Sequence, residues 1–286
     1  MTGDISLSQP RAITNDVTID LAGHSITSNA SAPMLTVNGA KLTLKGDGSI
    51  ESRGQAVLVR NGGEVTVENG TYESSAAEVI RVNDGKVTIN GGLLTGREGA
   101  VTGREGGSTI IVNDGILVGT DNFAIATHGS NGMGSNTIII NGGTMEGNIV
   151  SNGYEAIGVY VANSDTFVMN DGEIIAHGGT GLCMRAGDVT INGGTITATN
   201  VDKNGNIVAD GKVGDNNTVM TGCSAVIFHE TSNYPGQKDK PMKLTIKGGT
   251  ITGVDHSVQV LSESEHPNVF VTGGTFNPPY PEAAGG

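Results

Sequence analysis

One short turn, I-N-G-G-T-I, returns along almost the whole chain and limits the fold more than any other feature. It stands at Ile191–Ile196, as I-N-G-G-T-M at Ile140–Met145, as I-K-G-G-T-I at Ile246–Ile251 and as V-T-G-G-T-F at Val271–Phe276. Looser copies begin at Val67, Ile89, Val112 and Met169. The marker glycines Gly48, Gly70, Gly92, Gly115, Gly143, Gly172, Gly194, Gly249 and Gly274 are separated by 22, 22, 23, 28, 29, 22, 55 and 25 residues. A base period of about 22 with insertions outranks any local propensity and marks a repeat architecture.

Glycine pairs at this frequency break helices. The flanking runs read as strands: Val65-Thr-Val67, Val87-Thr-Ile89, Val189-Thr-Ile191 and Leu244-Thr-Ile246 alternate with period two and are rich in β-branched residues. A second apolar run occurs in each copy, such as Ala56–Val59, Val79–Val82, Ala124–Thr127, Ile157–Val161, Gly181–Met184, Ala225–Phe228 and Val258–Leu261. Two or three short strands per repeat, joined by tight turns, predict one rung of a parallel β-solenoid. Each strand then pairs with its equivalent one rung away. About ten rungs at roughly 4.8 Å give a rod of roughly 50 Å.

The turn residues acquire a mechanism in that geometry. Glycine supplies positive φ at the corner. The residue before the glycines is Asn90, Asn113, Asn141, Asn170 and Asn192 in five consecutive rungs, which predicts a structural ladder of stacked side-chain amides. Asp84, Asp114 and Asp171 occur in N-D-G turns and read as occupants of the corner position that Gly91, Gly142 and Gly193 fill elsewhere. The outward residue of the strand before the turn is Thr66, Thr88, Thr190 or Thr245, but becomes Ile111, Ile139 and Val168 in three consecutive middle rungs. An apolar stripe outside a rod implies a cover. The protein's own loops and a partner, including another copy, are both open as that cover.

With these turns and the entry A-I-T-N-D-V-T-I-D-L-A-G-H-S-I at Ala12–Ile26, the chain resembles the right-handed parallel β-helix of the pectin-lyase-like superfamily over Asp16–Phe276. The resemblance implies an all-β, single-stranded right-handed parallel β-helix. That fold hosts lyases, hydrolases, phage tailspikes and inert surface proteins, so it does not by itself assign an activity. Lyases on it need grouped acidic calcium ligands and a basic residue, and hydrolases need close carboxylates. The N-T-D and D-D elements of polygalacturonase-like enzymes are missing. The histidines of T-H-G-S (His128) and A-H-G-G (His177) therefore read as loop residues.

Composition narrows the classes further. A net charge of −13 disfavours nucleic acid and anionic membranes as partners. No run of 18 apolar residues suggests a membrane span. The opening M-T-G-D-I-S-L carries neither a basic nor an apolar signal region, which leaves two expectations open: a signal already removed from this sequence, or release by another route such as lysis. Cys183 and Cys223 read as buried thiols. Without tryptophan, and with Tyr72, Tyr154, Tyr160, Tyr234 and Tyr280 scattered, only weak glycan contact is expected. Asp202, Asn204, Asn206 and Asp210 have loosely calcium-like spacing, but glycine falls at Gly205, which fits a hairpin and not an EF-hand. His229-Glu230 lacks the second histidine of a zinc motif. No catalytic residue, metal or cofactor is expected.

The expected organisation is an N-terminal cap over 1–16, a solenoid over 17–276 and a proline-rich tail over 277–286. Insertions fall near 127–136, 200–222 and 231–241, and the stretch Leu117–Pro241 is where specific contact is expected. The tail is expected to dock on a neighbour or cap the last rung, and covers Phe270 in that arrangement. By resemblance, the leading expectation is a non-enzymatic virion component such as a decoration protein, head fibre or tail-associated β-helix. Its partners would be other virion proteins and copies of itself, trimers being common among phage β-helices. The alternatives are a bacterial cell-surface adhesin or repeat domain and, from another class, a polysaccharide lyase or hydrolase.

Overall fold

In the computed structural model, which describes residues 1–128, 134–148, 156–207, 223–231, 234–237 and 241–280, the chain winds into a right-handed parallel β-solenoid of about ten turns with ~24 residues per turn. The expected period of 22 is that of the compact rungs, where Tyr72 pairs with both Ile50 and Leu94. Inserted rungs raise the mean. Each full turn contributes three strands. The first sheet has 11 strands, from Ile5–Ser6 to Thr275–Asn277. The second has 10, from Arg11–Ile13 to Val258–Ser262, and the third has 10, from Val17–Asp20 to Val269–Val271. Among the described residues every pairing between these strands is parallel and links equivalent positions, as in Val65–Val87–Ile110–Ile138–Phe167–Val189–Leu244.

Alternation explains why these residues form these strands. In the third sheet Val87 and Ile89 are buried while Thr88 between them faces outward and is partly exposed. A slip of one residue would reverse every side chain, so the pattern locks the register. The inward columns of all three sheets merge into one apolar core that runs the length of the rod. Each large side chain removed from water there contributes roughly 1.5–3 kcal/mol. Tyr72 belongs to this core and not to the surface. It is fully buried, and its hydroxyl donates to the Asn69 carbonyl at 2.7 Å, which satisfies the one polar atom it brings inside.

Short strands continue the sheets at both ends. Ile5–Ser6 pairs with Ser25–Ser28 and Arg11–Ile13 with Leu35–Asn38, so this stretch is itself the first rung. Met1 packs against the core, and its ammonium donates to the Asp20 carbonyl at 2.5 Å. At the other end the strand runs through Asn277, and Tyr280 returns against the core with its ring 6.0 Å from that of Phe276. Phe270, expected beneath the tail, is 50% exposed. Residues 281–286 lie outside the described residues.

The corners divide the labour. The turn from third to first sheet is nearly constant and carries the I-N-G-G-T-I motif. Long connections leave only the other two corners. Those after Asn148 and Thr199 connect the first sheet to the second, and those after Thr127 and Glu230 connect the second to the third. The second sheet is thus flanked by insertions on both of its edges. Of the expected hairpin in 200–222, Val201 and Ile207 form an antiparallel bridge around a turn with Gly205 at φ +83°. Asp202 holds that turn by accepting from the backbone N–H of Asn204 and Asn206 at 2.8 and 2.9 Å. This uses the carboxylate as a turn residue; Asp210 lies outside the described residues.

Candidate functional site

The asparagines at the constant corner lie one above another. Asn113 donates its side-chain N–H to Asn90, Asn141 to Asn113, Asn170 to Asn141 and Asn192 to Asn170, all at 2.8 Å. Asn90 donates in turn to the Glu68 carboxylate at 3.0 Å. Each amide offers one donor and one acceptor along the axis, so the row is a continuous structural spine. Asn141→Ala removes two of these bonds and should lower stability by about 1–2 kcal/mol, read from the urea midpoint. Asn113 and Asn170 each lose only one bond in that variant. Asp114 and Asp171 sit at this corner and accept from the following glycine N–H at 2.7 and 2.8 Å. Asp84 does not share their position: it lies between the second and third sheets, ahead of Gly85–Ile89. The N-D-G spelling is common to two different corners because both need a glycine with positive φ.

The outward column of the third sheet runs in register through Thr66, Thr88, Ile111, Ile139, Val168, Thr190, Thr245 and Phe270. Ile111, Ile139 and Val168 are adjacent and half-buried, flanked by partly exposed threonines. A larger apolar exterior lies on the second sheet, where the sequence reading did not place it. Its outward column passes through Thr102, Ala126, Tyr160, Cys183, Ile227 and Gln259, each at most 9% exposed. Ala126, Tyr160, Cys183 and Ile227 form a second apolar cluster outside the solenoid, joined by Phe123, Tyr234 and Leu261. The Phe123 ring stacks on Tyr160 at 5.3 Å. The signal was present: the strands A-I-A-T, G-V-Y-V, G-L-C-M and V-I-F are continuously apolar, which marks strands covered on both faces.

A segment around Tyr234–Gln237 binds this face. The Tyr234 ring lies 4.3 Å from the Arg185 guanidinium, and its hydroxyl is 3.3 Å from that of Tyr160. Gln237 donates to the backbone carbonyls of Arg185 and His229, at 2.5 and 3.2 Å, and accepts from the Thr231 N–H at 3.1 Å. Ser164 donates to the Gly236 carbonyl at 3.0 Å. Burial and the neighbouring Arg185 push the His229 imidazole down to about 4, against a smaller opposing pull from Glu263. Nearby, burial raises the Asp165 carboxyl although it accepts from Asn136 N–H groups at 2.7 and 2.9 Å. Both cysteines are buried and neither forms a disulfide.

Glu78 is the other buried ionic centre. It opens a strand of the second sheet and is fully buried. Its carboxylate accepts from Arg81 at 2.5 Å, Thr102 at 2.9 Å and Gln55 at 3.1 Å, with Arg104 at 3.7 Å. Burial alone would raise its pKa, but the bonds from Arg81 and its charge outweigh that and hold the group down to about 2.

Among the buried groups, these two make the fold most sensitive to acid. His229 binds its proton near 6.5 when unfolded but only near 4 when folded, so stability falls as pH drops through that window. Glu78 is protonated near 4.5 when unfolded and near 2 when folded, so its contribution, present above 4.5, is lost between those values. Each loss is on the order of 2–3 kcal/mol. Asp165 opposes them, because a raised folded pKa favours the fold as acid is added. The unfolding midpoint should therefore decline in two steps below pH 7; a flat profile from 7 to 3 would contradict these assignments.

Among the described residues no three His, Cys, Asp or Glu side chains group as metal ligands, and no helix is long and apolar enough to cross a membrane. His128 sits at the end of a second-sheet strand, with its pKa lowered by burial and by Arg104. Tyr154 lies outside the described residues. The protein is thus an all-β parallel solenoid, elaborated over its second sheet. Comparison with protein-family models, curated proteins and solved structures finds no match for the chain.

Proposed function

We propose that the chain is a non-enzymatic structural and binding rod of a bacteriophage virion, whose recognition surface is built over the second sheet. The observation that carries the binding surface is the placement of the insertions. They leave the two corners that flank one sheet, and the outer face of that sheet is buried from Thr102 to Gln259 and apolar from Ala126 to Ile227. The third corner keeps its compact turn throughout. Insertions gathered on one side of a solenoid are where partners usually engage. Membership of the pectin-lyase-like superfamily, and the virion setting, rest on the resemblance of the repeated turns. Mass spectrometry of purified particles from a phage that encodes the chain tests the setting: the expected result is a stoichiometric structural component, and its absence from the particle refutes it.

The same reading assigns Ile111, Ile139 and Val168 to contact with other virion proteins or with further copies, a trimer included. Replacing all three by Thr restores the residue type that flanks them at Thr88 and Thr190. The variant should fold with an unfolding free energy within about 1 kcal/mol of the parent, while its assembly, read by sedimentation and by incorporation into particles, is weakened. Unchanged assembly would remove the stripe from the interface.

A further inference from the structure

We propose that Glu146, Asn148 and His177 form a divalent-cation site of the zinc class at the corner between the first and second sheets. Thr144–Asn148 and Glu173–His177 are neighbouring strands of the first sheet, and Asn148 pairs in register with His177. Side chains two residues apart share a face of a strand, so Glu146 and Asn148 lie on the same side, and His177 beside them. The His177 Nε2 is 3.9 Å from a Glu146 carboxylate oxygen, and both side chains are about a third exposed at 30% and 31%.

Asn148 supplies the independent observation. It is 2% exposed; its side-chain N–H donates to the Gly119 carbonyl at 3.4 Å, but its side-chain oxygen has no hydrogen-bond donor among the described residues. A buried acceptor left without a partner costs about 1–3 kcal/mol and calls for an ion or water to satisfy it. A cation held by the neighbouring carboxylate and imidazole meets that need. Bonds of about 2.0–2.2 Å at a tetrahedral angle place the nitrogen and oxygen ligands about 3.4 Å apart. Small rotations of two partly exposed side chains close the remaining gap. An imidazole with one carboxylate and one amide oxygen suits a borderline cation such as zinc better than calcium, which takes oxygen ligands alone. The site has two strong ligands and a third, neutral one, and leaves a position to water. It does not depend on the virion assignment.

Calorimetric titration of the metal-stripped full chain with zinc chloride, with calcium chloride in parallel, tests this. Zinc should bind at one such site per chain, and calcium at least about tenfold more weakly. His177→Ala and Glu146→Gln should each weaken zinc at least about tenfold, and Asn148→Asp, which adds a charge at the orphan oxygen, should tighten it by a similar factor. Absence of saturable zinc binding, or binding unchanged in both His177→Ala and Glu146→Gln, overturns the site and leaves a water as the partner of Asn148. Should Asn148→Asp fail to fold by circular dichroism, the two surface variants alone decide.

Discussion

Gly143→Ala should cost about 2 kcal/mol more than Gly62→Ala, although the two glycines have nearly the same backbone conformation. Their φ values are +79° and +73°, and an L-residue in this region costs roughly 1–2 kcal/mol. The difference is space. A Cβ on Gly62 would meet nothing within 4 Å, whereas one on Gly143 would lie 2.7 Å from the Gly115 carbonyl oxygen and 3.0 Å from the Asp114 carbonyl carbon. Both are backbone atoms of the preceding rung, with no side chain to swing aside. Overpacking of this kind adds about 1–3 kcal/mol. The pattern repeats up the corner: Gly92 faces the Gly70 oxygen at 2.8 Å, Gly172 the Gly143 oxygen at 2.8 Å and Gly194 the Gly172 oxygen at 2.6 Å. Urea midpoints of the two variants would measure the gap. Equal losses would show that φ alone selects glycine and that rung spacing plays no part.

Glu78→Ala should destabilise the fold by about 3 kcal/mol, since removal of one partner from a buried ion pair leaves the others uncompensated. Gln55 and Thr102, both under 10% exposed, each lose the acceptor they serve. Arg81 keeps some access to water at 27% side-chain exposure, which places the loss at the lower end for buried pairs. Glu78→Gln retains the shape and should cost less, about 1–2 kcal/mol. Its informative property is the pH profile: the loss of stability below pH 4.5 should disappear, while the step above it, due to His229, persists. Persistence of the lower step in Glu78→Gln would assign it to another carboxylate.

The repeated turn made most of the fold legible in advance. Strand alternation such as Val87-Thr-Ile89 reports which side chains face the core, and the glycine spacing reports the rung. The asparagine spine was legible for the same reason, since residues one period apart must stack. The pairing of the first rung was not legible because Ile5–Ser6 and Arg11–Ile13 are too short to show a period. Asp84 was misplaced because the same three letters serve two corners. The candidate site was the least legible part. Tyr160, Arg185 and Tyr234 meet only because Arg185 follows Gly179–Met184, paired directly beneath Val226–Glu230, and the segment after that strand folds back. Glu78 was invisible as an ionic centre: its partners Gln55, Thr102 and Arg104 come from neighbouring rungs, at separations no local pattern distinguishes.

What the sequence alone determined is the quantity with a period: the rung length, inward columns, glycine corners and an amide spine. Those follow from interactions between equivalent positions, and equivalence is written in the spacing. The tertiary structure decided what lacks a period, namely that insertions from two corners converge on one sheet and that a continuous apolar face is covered from outside. The physical reason is that a strand buried on both sides has the same composition whatever covers it, so only the folded chain shows which segment does.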